Sequence, residues 1–327
     1  MRYIIYGAGG IGGTIGARLF QNHREVILIA RGEHLKAIQE KGLVFKTPLE
    51  SVTLPIACVG HPSDIDFKDG DVVFLCMKGQ HTLQALLDLR DAAGEDIPVI
   101  CCQNGVDNER MAARRFSHVY GMVVMLPASH LEPGVVQSES VKKTGILDAG
   151  CFPSGIDPLI EQVIKDLADS NFSAKADEHI MRWKYAKLLI NLGNSLQALC
   201  EPGPEARDIA RMMTHEALDC YRAAGIDSAT REEEMERRGD HMQLGTIDGQ
   251  PRGGGSSWQS IVRGTGSIES DYLNGEIVLL GRLHGVPTPA NLVLQQMGIR
   301  LAKEGGKVGS YSLDEIRKRI IDAGGKF

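Results

Sequence analysis

The chain contains no apolar run of about 18 residues, so no segment is long enough to cross a bilayer as a helix. Its first apolar run, Tyr3–Tyr6, gives way at once to glycines and is far too short for a secretory signal. The seven cysteines and ten histidines form no C-x-x-C or H-x-x-x-H pair, so no structural metal is expected. The cysteine count is odd, and Cys76, Cys101 and Cys102 lie in strand-like runs. Buried free thiols in a reducing cytoplasm are expected, and a disulfide framework is not. Positive charge is not in excess. A formal net charge of -6 argues against nucleic acid or an anionic membrane as the main partner. There is no internal repeat.

What is present is enough for two ordinary cores. The chain has 327 residues, 43% hydrophobic and 24% charged, which is a globular composition. In the first half, Tyr3–Tyr6, Glu25–Ala30, Asp71–Met77, Val99–Cys102 and Val119–Leu126 are short runs rich in Val and Ile. Amphipathic stretches such as Leu35–Lys41 and Thr82–Ala92 separate several of them. Continuous apolar strands alternating with helices predict a mostly parallel sheet covered on both faces. Val135–Gln137 and Thr144–Leu147 read as later strands, and Ile156–Ala168 as a closing helix. From about Ala176 the pattern is helical: Glu178–Leu199, Ala206–Ala224, Glu269–His284, Pro289–Ala302 and Leu313–Asp322. The expected architecture is an α/β Rossmann-type domain over residues 1–175 and an all-α domain over 176–327. The polar stretch Thr230–Gly255 reads as a solvated loop, with a lid as its functional alternative.

Gly7-Ala8-Gly9-Gly10-Ile11-Gly12 follows a strand and opens a helix predicted over Ile11–Gln21. In that context G-x-G-x-x-G predicts a dinucleotide-binding turn. Gly7 permits the turn, Gly9 admits the pyrophosphate, and Gly12 lets the helix close on the strand. The helix N-terminus adds unpaired N–H groups for the phosphates. The second strand ends in Ala30-Arg31, where an NAD enzyme carries an acid. Arg31 can pair with a 2′-phosphate, which favours NADPH; the alternatives are that Arg31 is a surface charge and that Glu33 keeps NAD open. Lys36 is a weaker second contact and reads more readily as a solvated helix position. Ligands of open parallel sheets lie beyond the strands' carboxyl ends. Lys78 and Asn104-Gly105 occupy such ends. Each reads either as a cofactor contact or as plain strand-end and turn chemistry.

In the helical half, Lys187, Asn191 and Asn194 are spaced to share one helix face beside Leu188, Leu192 and Leu196. Polar groups among leucines need partners or a ligand; the alternative is a polar stripe on an exposed helix. Ser257 alone reads as an N-cap, and Glu269 alone as an acid in a first helical turn. Asn274-Gly275 and Pro287-Thr288-Pro289-Ala290-Asn291 follow.

Taken in order, these motifs resemble the ketopantoate reductase (2-dehydropantoate 2-reductase) family over nearly the whole chain. The resemblance implies a Rossmann domain joined to an all-α domain, with a substrate cleft between them. It implies NADPH-dependent reduction of a 2-oxo acid, 2-dehydropantoate to pantoate, within pantothenate and coenzyme A biosynthesis. Lys187 matches the family's proton-donating lysine. Asn191, Asn194 and Ser257 match substrate-binding positions. Glu269 matches a catalytic acid at the substrate and cofactor, and Lys78 and Asn104 match cofactor-contacting positions. Trp183 stands four residues before Lys187, where the family often has two, so Lys184 is a rival. Only Lys187 carries an asparagine four residues on. The alternatives are a related reductase of another small 2-oxo acid, a β-hydroxyacid dehydrogenase, and a non-catalytic NADPH sensor. A homodimer is carried as the expected assembly.

Overall fold

The computed structural model describes residues 1–250 and 253–327; Pro251 and Arg252, which belong to the polar stretch noted above, lie outside the described residues. The chain divides into two compact units.

The first unit opens with β1 (Arg2–Tyr6), α1 (Gly10–Gln21), β2 (Glu25–Ile29) and α2 (Gly32–Lys41). Three short strands follow: β3 (Leu43–Lys46), β4 (Ser51–Leu54) and β5 (Ala57–Val59). Next come β6 (Asp71–Leu75), α3 (Thr82–Ala93), β7 (Val99–Cys101) and α4 (Asn108–Ala113). The unit continues through β8 (Val119–Met125), β9 (Ala128–Ser129), β10 (Val135–Ser138), β11 (Ile146–Cys151) and α5 (Pro158–Asp169). One sheet has seven strands in the order β11-β8-β7-β6-β1-β2-β5. All its pairings are parallel except β11 with β8. A smaller sheet, β4-β3-β10-β9, was not foreseen from sequence.

Alternation along the central strands builds two cores. Tyr3, Ile5, Leu28 and Phe74 face one layer, and Ile4, Ile29, Val73 and Leu75 face the other. A sheet buried on both faces needs the continuous apolar strands that the sequence supplies. From β1 the chain moves first to β2 on one side and later to β6 on the other. The switch point therefore lies between β1 and β6, where Gly7 meets Met77.

Helix α6 (Ile180–Asn191) spans the division, which falls after Lys184 rather than near residue 175. Residues 176–184 stay with the sheet because Ile180 joins Val123, Met125 and Ile146 in a local core. The sequence pattern continues one helix to Leu199. The structure interrupts it at Leu192 and resumes with α7 (Gly193–Leu199). The second unit then holds α8 (Pro204–Ala224), while α9 (Arg231–Arg238) belongs to the first. The second unit ends with α10 (Ser256–Val262), α11 (Asn274–His284), α12 (Pro289–Lys303) and α13 (Leu313–Asp322). Among the described residues, no helix is long and apolar enough to cross a membrane. Among them, too, no group of three or more His, Cys, Asp or Glu could hold a metal ion.

Residues 231–250 form a strap on the first unit, where a solvated loop was expected. Arg237 forks onto both oxygens of Asp148 at 2.6 Å, and both side chains are 7% exposed. Arg182 makes a second fork to Glu233, and the N–H of Gly245 donates to the carbonyl of Glu139 at 2.8 Å. Composition reads such a stretch as polar. It cannot show that its charges have partners far away in sequence.

Candidate active site

Three glycines of the turn meet different surroundings. Gly7 has φ +102°, and a Cβ there would stand 2.8 Å from the backbone nitrogen of Met77. A Cβ on Gly12 would lie 2.3 Å from the carbonyl oxygen of Gly7 and 2.8 Å from the Cβ of Cys76, so helix and strand meet with no room for one. A Cβ on Gly9 would meet nothing within 4 Å. Gly9 also caps α1, whose first turn carries no acidic residue. Open space beside uncapped N–H groups, with no acidic residue in the helix's own first turn, fits an anion.

His34 on α2 fixes this turn, a role the sequence did not reveal. The N–H of Gly134 donates to its Nδ1 at 2.8 Å, so Nε2 carries the proton and donates to the carbonyl of Ala8 at 2.7 Å. Its ring stacks, tilted, on His130 with centroids 4.1 Å apart. Arg31 is exposed at the N-cap of α2, just beyond β2, and Lys78 is half-buried just beyond β6.

At the end of β7 lies a buried polar cluster. Gln103 donates from Nε2 to Thr82 Oγ1 at 2.6 Å, and Thr82 donates to Asn108 Oδ1 at 2.8 Å. Lys184 and Glu109 form an ion pair at 2.5 Å with side chains 2% and 0% exposed. Burial pushes the Glu109 carboxyl up, and the Lys184 ammonium pulls it back. The same ammonium donates to the carbonyls of Gln103 at 2.9 Å, Met122 at 3.3 Å and Cys101 at 3.4 Å. Lys184, weighed as the rival lysine, is thus fully engaged inside the first unit. Glu109 was missed because a short polar helix gives no sequence signal of burial.

In the helical unit, Lys187 is half-buried on α6, and Asn191 is buried one turn further on. Among the described residues, no acceptor reaches Asn191 Nδ2. Asn194 is half-buried in the first turn of α7. Gly255 lies close to its side chain, and the Gly255 N–H donates to Gln197 Oε1 at 2.8 Å. Gly255, not Ser257, occupies the N-cap of α10; Ser257 is buried in the first turn. Glu269 is buried at the start of a 3-10 turn ahead of α11 and accepts from Ser256 Oγ at 3.0 Å. Asn104 is half-buried, and Gly105 beside it has φ +81° and packs on the carbonyl of Tyr272.

The closing motifs have structural work. Asn274 accepts from Ser195 Oγ at 2.8 Å and donates to Asn291 Oδ1 at 3.1 Å. Asn291 donates to Glu216 at 2.8 Å, and Glu216 also accepts the backbone N–H groups of Ala290 and Asn291 at the start of α12. Burial raises the Glu216 carboxyl's proton affinity, and those donors lower it.

Two family models match the chain: Ketopantoate reductase PanE/ApbA over residues 3–153, and Ketopantoate reductase PanE/ApbA C terminal over residues 179–300. A 2-dehydropantoate 2-reductase of Pyrococcus horikoshii is 26% identical over 295 residues, 90% of this chain and 95% of that protein. Its counterpart in Lactococcus lactis is 26% identical over 304 residues, 88% of this chain and 94% of that protein. Among solved structures, a PanE/ApbA family ketopantoate reductase from Ralstonia eutropha JMP134 matches with a TM-score of 0.77 at 26% identity. That match covers 93% of this chain and 99% of the other. A D-mandelate dehydrogenase solved with NADH and anilino(oxo)acetate shares the fold, with a TM-score of 0.78 at 22% identity, covering 93% and 99%. Matched over residues 3–153 and 179–300, in both its sheet-bearing and its helical parts, the chain belongs to the ketopantoate reductase family of oxidoreductases.

Proposed function

We propose that the protein reduces a small 2-oxo acid with NADPH, and that the acid is 2-dehydropantoate, giving pantoate for pantothenate and coenzyme A synthesis. The observation that carries the reading is Lys187 followed one turn later by Asn191, whose buried Nδ2 meets no acceptor among the described residues. A buried amide donor without a partner is destabilising unless a ligand accepts from it.

The α/β unit would hold the cofactor. N–H groups at the start of α1, beside the open space at Gly9, would hold the pyrophosphate, and Arg31 would pair with the 2′-phosphate. Lys78 and Asn104 would be further cofactor contacts. When bound, the nicotinamide supplies the hydride that the ketone carbon accepts. The ketone oxygen then gains negative charge. Lys187 stabilises that charge with its ammonium and gives the oxygen a proton from Nζ. Asn191 donates from Nδ2 to the substrate carboxylate, and Asn194 and Ser257 bind its remaining oxygens. Glu269 accepts from a substrate hydroxyl and is itself oriented by Ser256.

The test is oxidation of NADPH and NADH against a panel of 2-oxo acids that includes 2-dehydropantoate. The reading expects 2-dehydropantoate to give the highest kcat/KM, with NADPH preferred. A better substrate elsewhere in the panel would replace the acid but keep the reaction. No turnover with any member would end the reductase reading and leave the NADPH-binding sensor.

A further inference from the structure

We infer that Lys184 and Glu109 are positioning residues, whose buried ion pair sets the places of Asn104 and Lys187 at the same time. The inference rests on the reductase reading only for the roles of those two residues.

The geometry converges on one ammonium. Gln103, whose carbonyl accepts from Lys184 at 2.9 Å, immediately precedes Asn104. Lys184 itself lies on α6, three residues and less than one turn before Lys187. Glu109 lies in the first turn of α4, just after the segment that carries Asn104. Gln103 and Lys184 are each the last residue of the first unit before the chain passes to the second, and Asn108 is where it first returns. Three crossings of the chain are therefore tied to one point inside the first unit. The Gln103 side chain is held separately through Thr82 and Asn108.

An apolar pair could fill this space with equal or greater stability, since desolvating two charges offsets much of their attraction. An apolar pair could not hold the Gln103 carbonyl. Loss of that hold frees the Gln103–Asn104 turn and the start of the Lys187 turn together, which misplaces reacting groups without removing either.

The single change K184M leaves a buried carboxylate without its counter-charge and is expected to fold poorly, so the test uses K184M/E109L. This variant is expected to keep Tm within about 5 °C of wild type. Its NADPH Kd should stay within about threefold, while kcat for the 2-oxo acid falls on the order of 100-fold and KM changes little. If kcat recovers along with Tm, the pair is structural only and the inference is overturned. Should K184M/E109L not fold, K184M/E109Q carries the same test, since it too is neutral and lacks the ammonium. Should the wild-type protein reduce no 2-oxo acid, the reductase reading fails by itself. Amide hydrogen exchange over residues 104–107 then decides the inference: faster exchange in the double variant supports it, and unchanged exchange overturns it.

Discussion

Gly9→Ala and Gly12→Ala differ by one methyl group in the same turn, and the structure predicts opposite outcomes. At Gly9 the added Cβ meets nothing within 4 Å, and φ -71° with ψ -160° suits an ordinary residue. The substitution restricts the unfolded chain, so stability should rise by up to about 1 kcal/mol or stay level. The methyl group nevertheless fills the space proposed for the pyrophosphate, and the NADPH Kd should rise by at least about tenfold, about 1.4 kcal/mol. At Gly12 the Cβ would lie 2.3 Å from the Gly7 carbonyl oxygen and 2.8 Å from Ile5 and Cys76 side-chain atoms. Two of these neighbours belong to the backbone or lie next to it and cannot rotate away. Overpacking of this kind costs about 1–3 kcal/mol, against a gain of about 1 kcal/mol from alanine's helix propensity. The 2.3 Å approach to a backbone oxygen puts the cost at the upper end of that range, and the resulting net loss of about 2 kcal/mol corresponds to a Tm lower by roughly 4–8 °C. Thermal unfolding without cofactor, paired with fluorescence titration of NADPH, reads both effects. A Gly9→Ala protein that binds NADPH like wild type would show that the pyrophosphate does not rest there. A Gly12→Ala protein with unchanged Tm would refute the close-packing argument.

Arg31→Glu replaces a charge-assisted contact by repulsion and should weaken NADPH by about 2–3 kcal/mol, about 30- to 150-fold in Kd, with NADH much less affected; equal losses for both cofactors would remove Arg31 from 2′-phosphate recognition. Asp148→Asn leaves the Arg237 guanidinium buried without its counter-charge, although Ser173 still accepts from it. Opening of residues 231–250 should become easier by about 3 kcal/mol, the lower end for a broken buried pair, and limited proteolysis should cut there first. Burial pushes the Cys58 thiol from the ordinary 9.0 up to about 11. Its alkylation rate in the native protein should therefore climb about tenfold per pH unit until about pH 11. The linked stability has a definite sign. A raised folded-state pKa gives a contribution that is full below 9.0 and lost as pH rises through about 11.

The sheet-and-helix order was legible because its signals are local. Period and apolar continuity placed β1, β2, β6, β7 and β8, and glycine spacing placed the turn before α1. The small sheet escaped because β3 and β4 are four residues each, and the pairing of β3 with the distant β10 leaves no periodic trace. The break at Leu192 escaped because the apolar pattern runs straight through it. The candidate site was legible by residue type: Lys187, Asn191 and Asn194 stand out among leucines. Its supports were not. His34 reaches Ala8 across 26 residues, Lys184 reaches Gln103 across 81, and Arg237 reaches Asp148 across 89. Such pairings are consequences of the fold, and nothing local in the sequence marks one arginine as buried and another as solvated. The strap shows the same limit, since a polar composition predicts a solvated loop until the partners of its charges are known.

The most direct measurement compares wild type with Lys187→Ala, following NADPH oxidation with 2-dehydropantoate and NADPH binding in parallel. Removing the ammonium should leave the NADPH Kd within about threefold while kcat falls by about 10²–10⁴-fold. A Lys187→Ala protein that turns over at close to the wild-type rate would contradict the assignment of Lys187 as the proton donor.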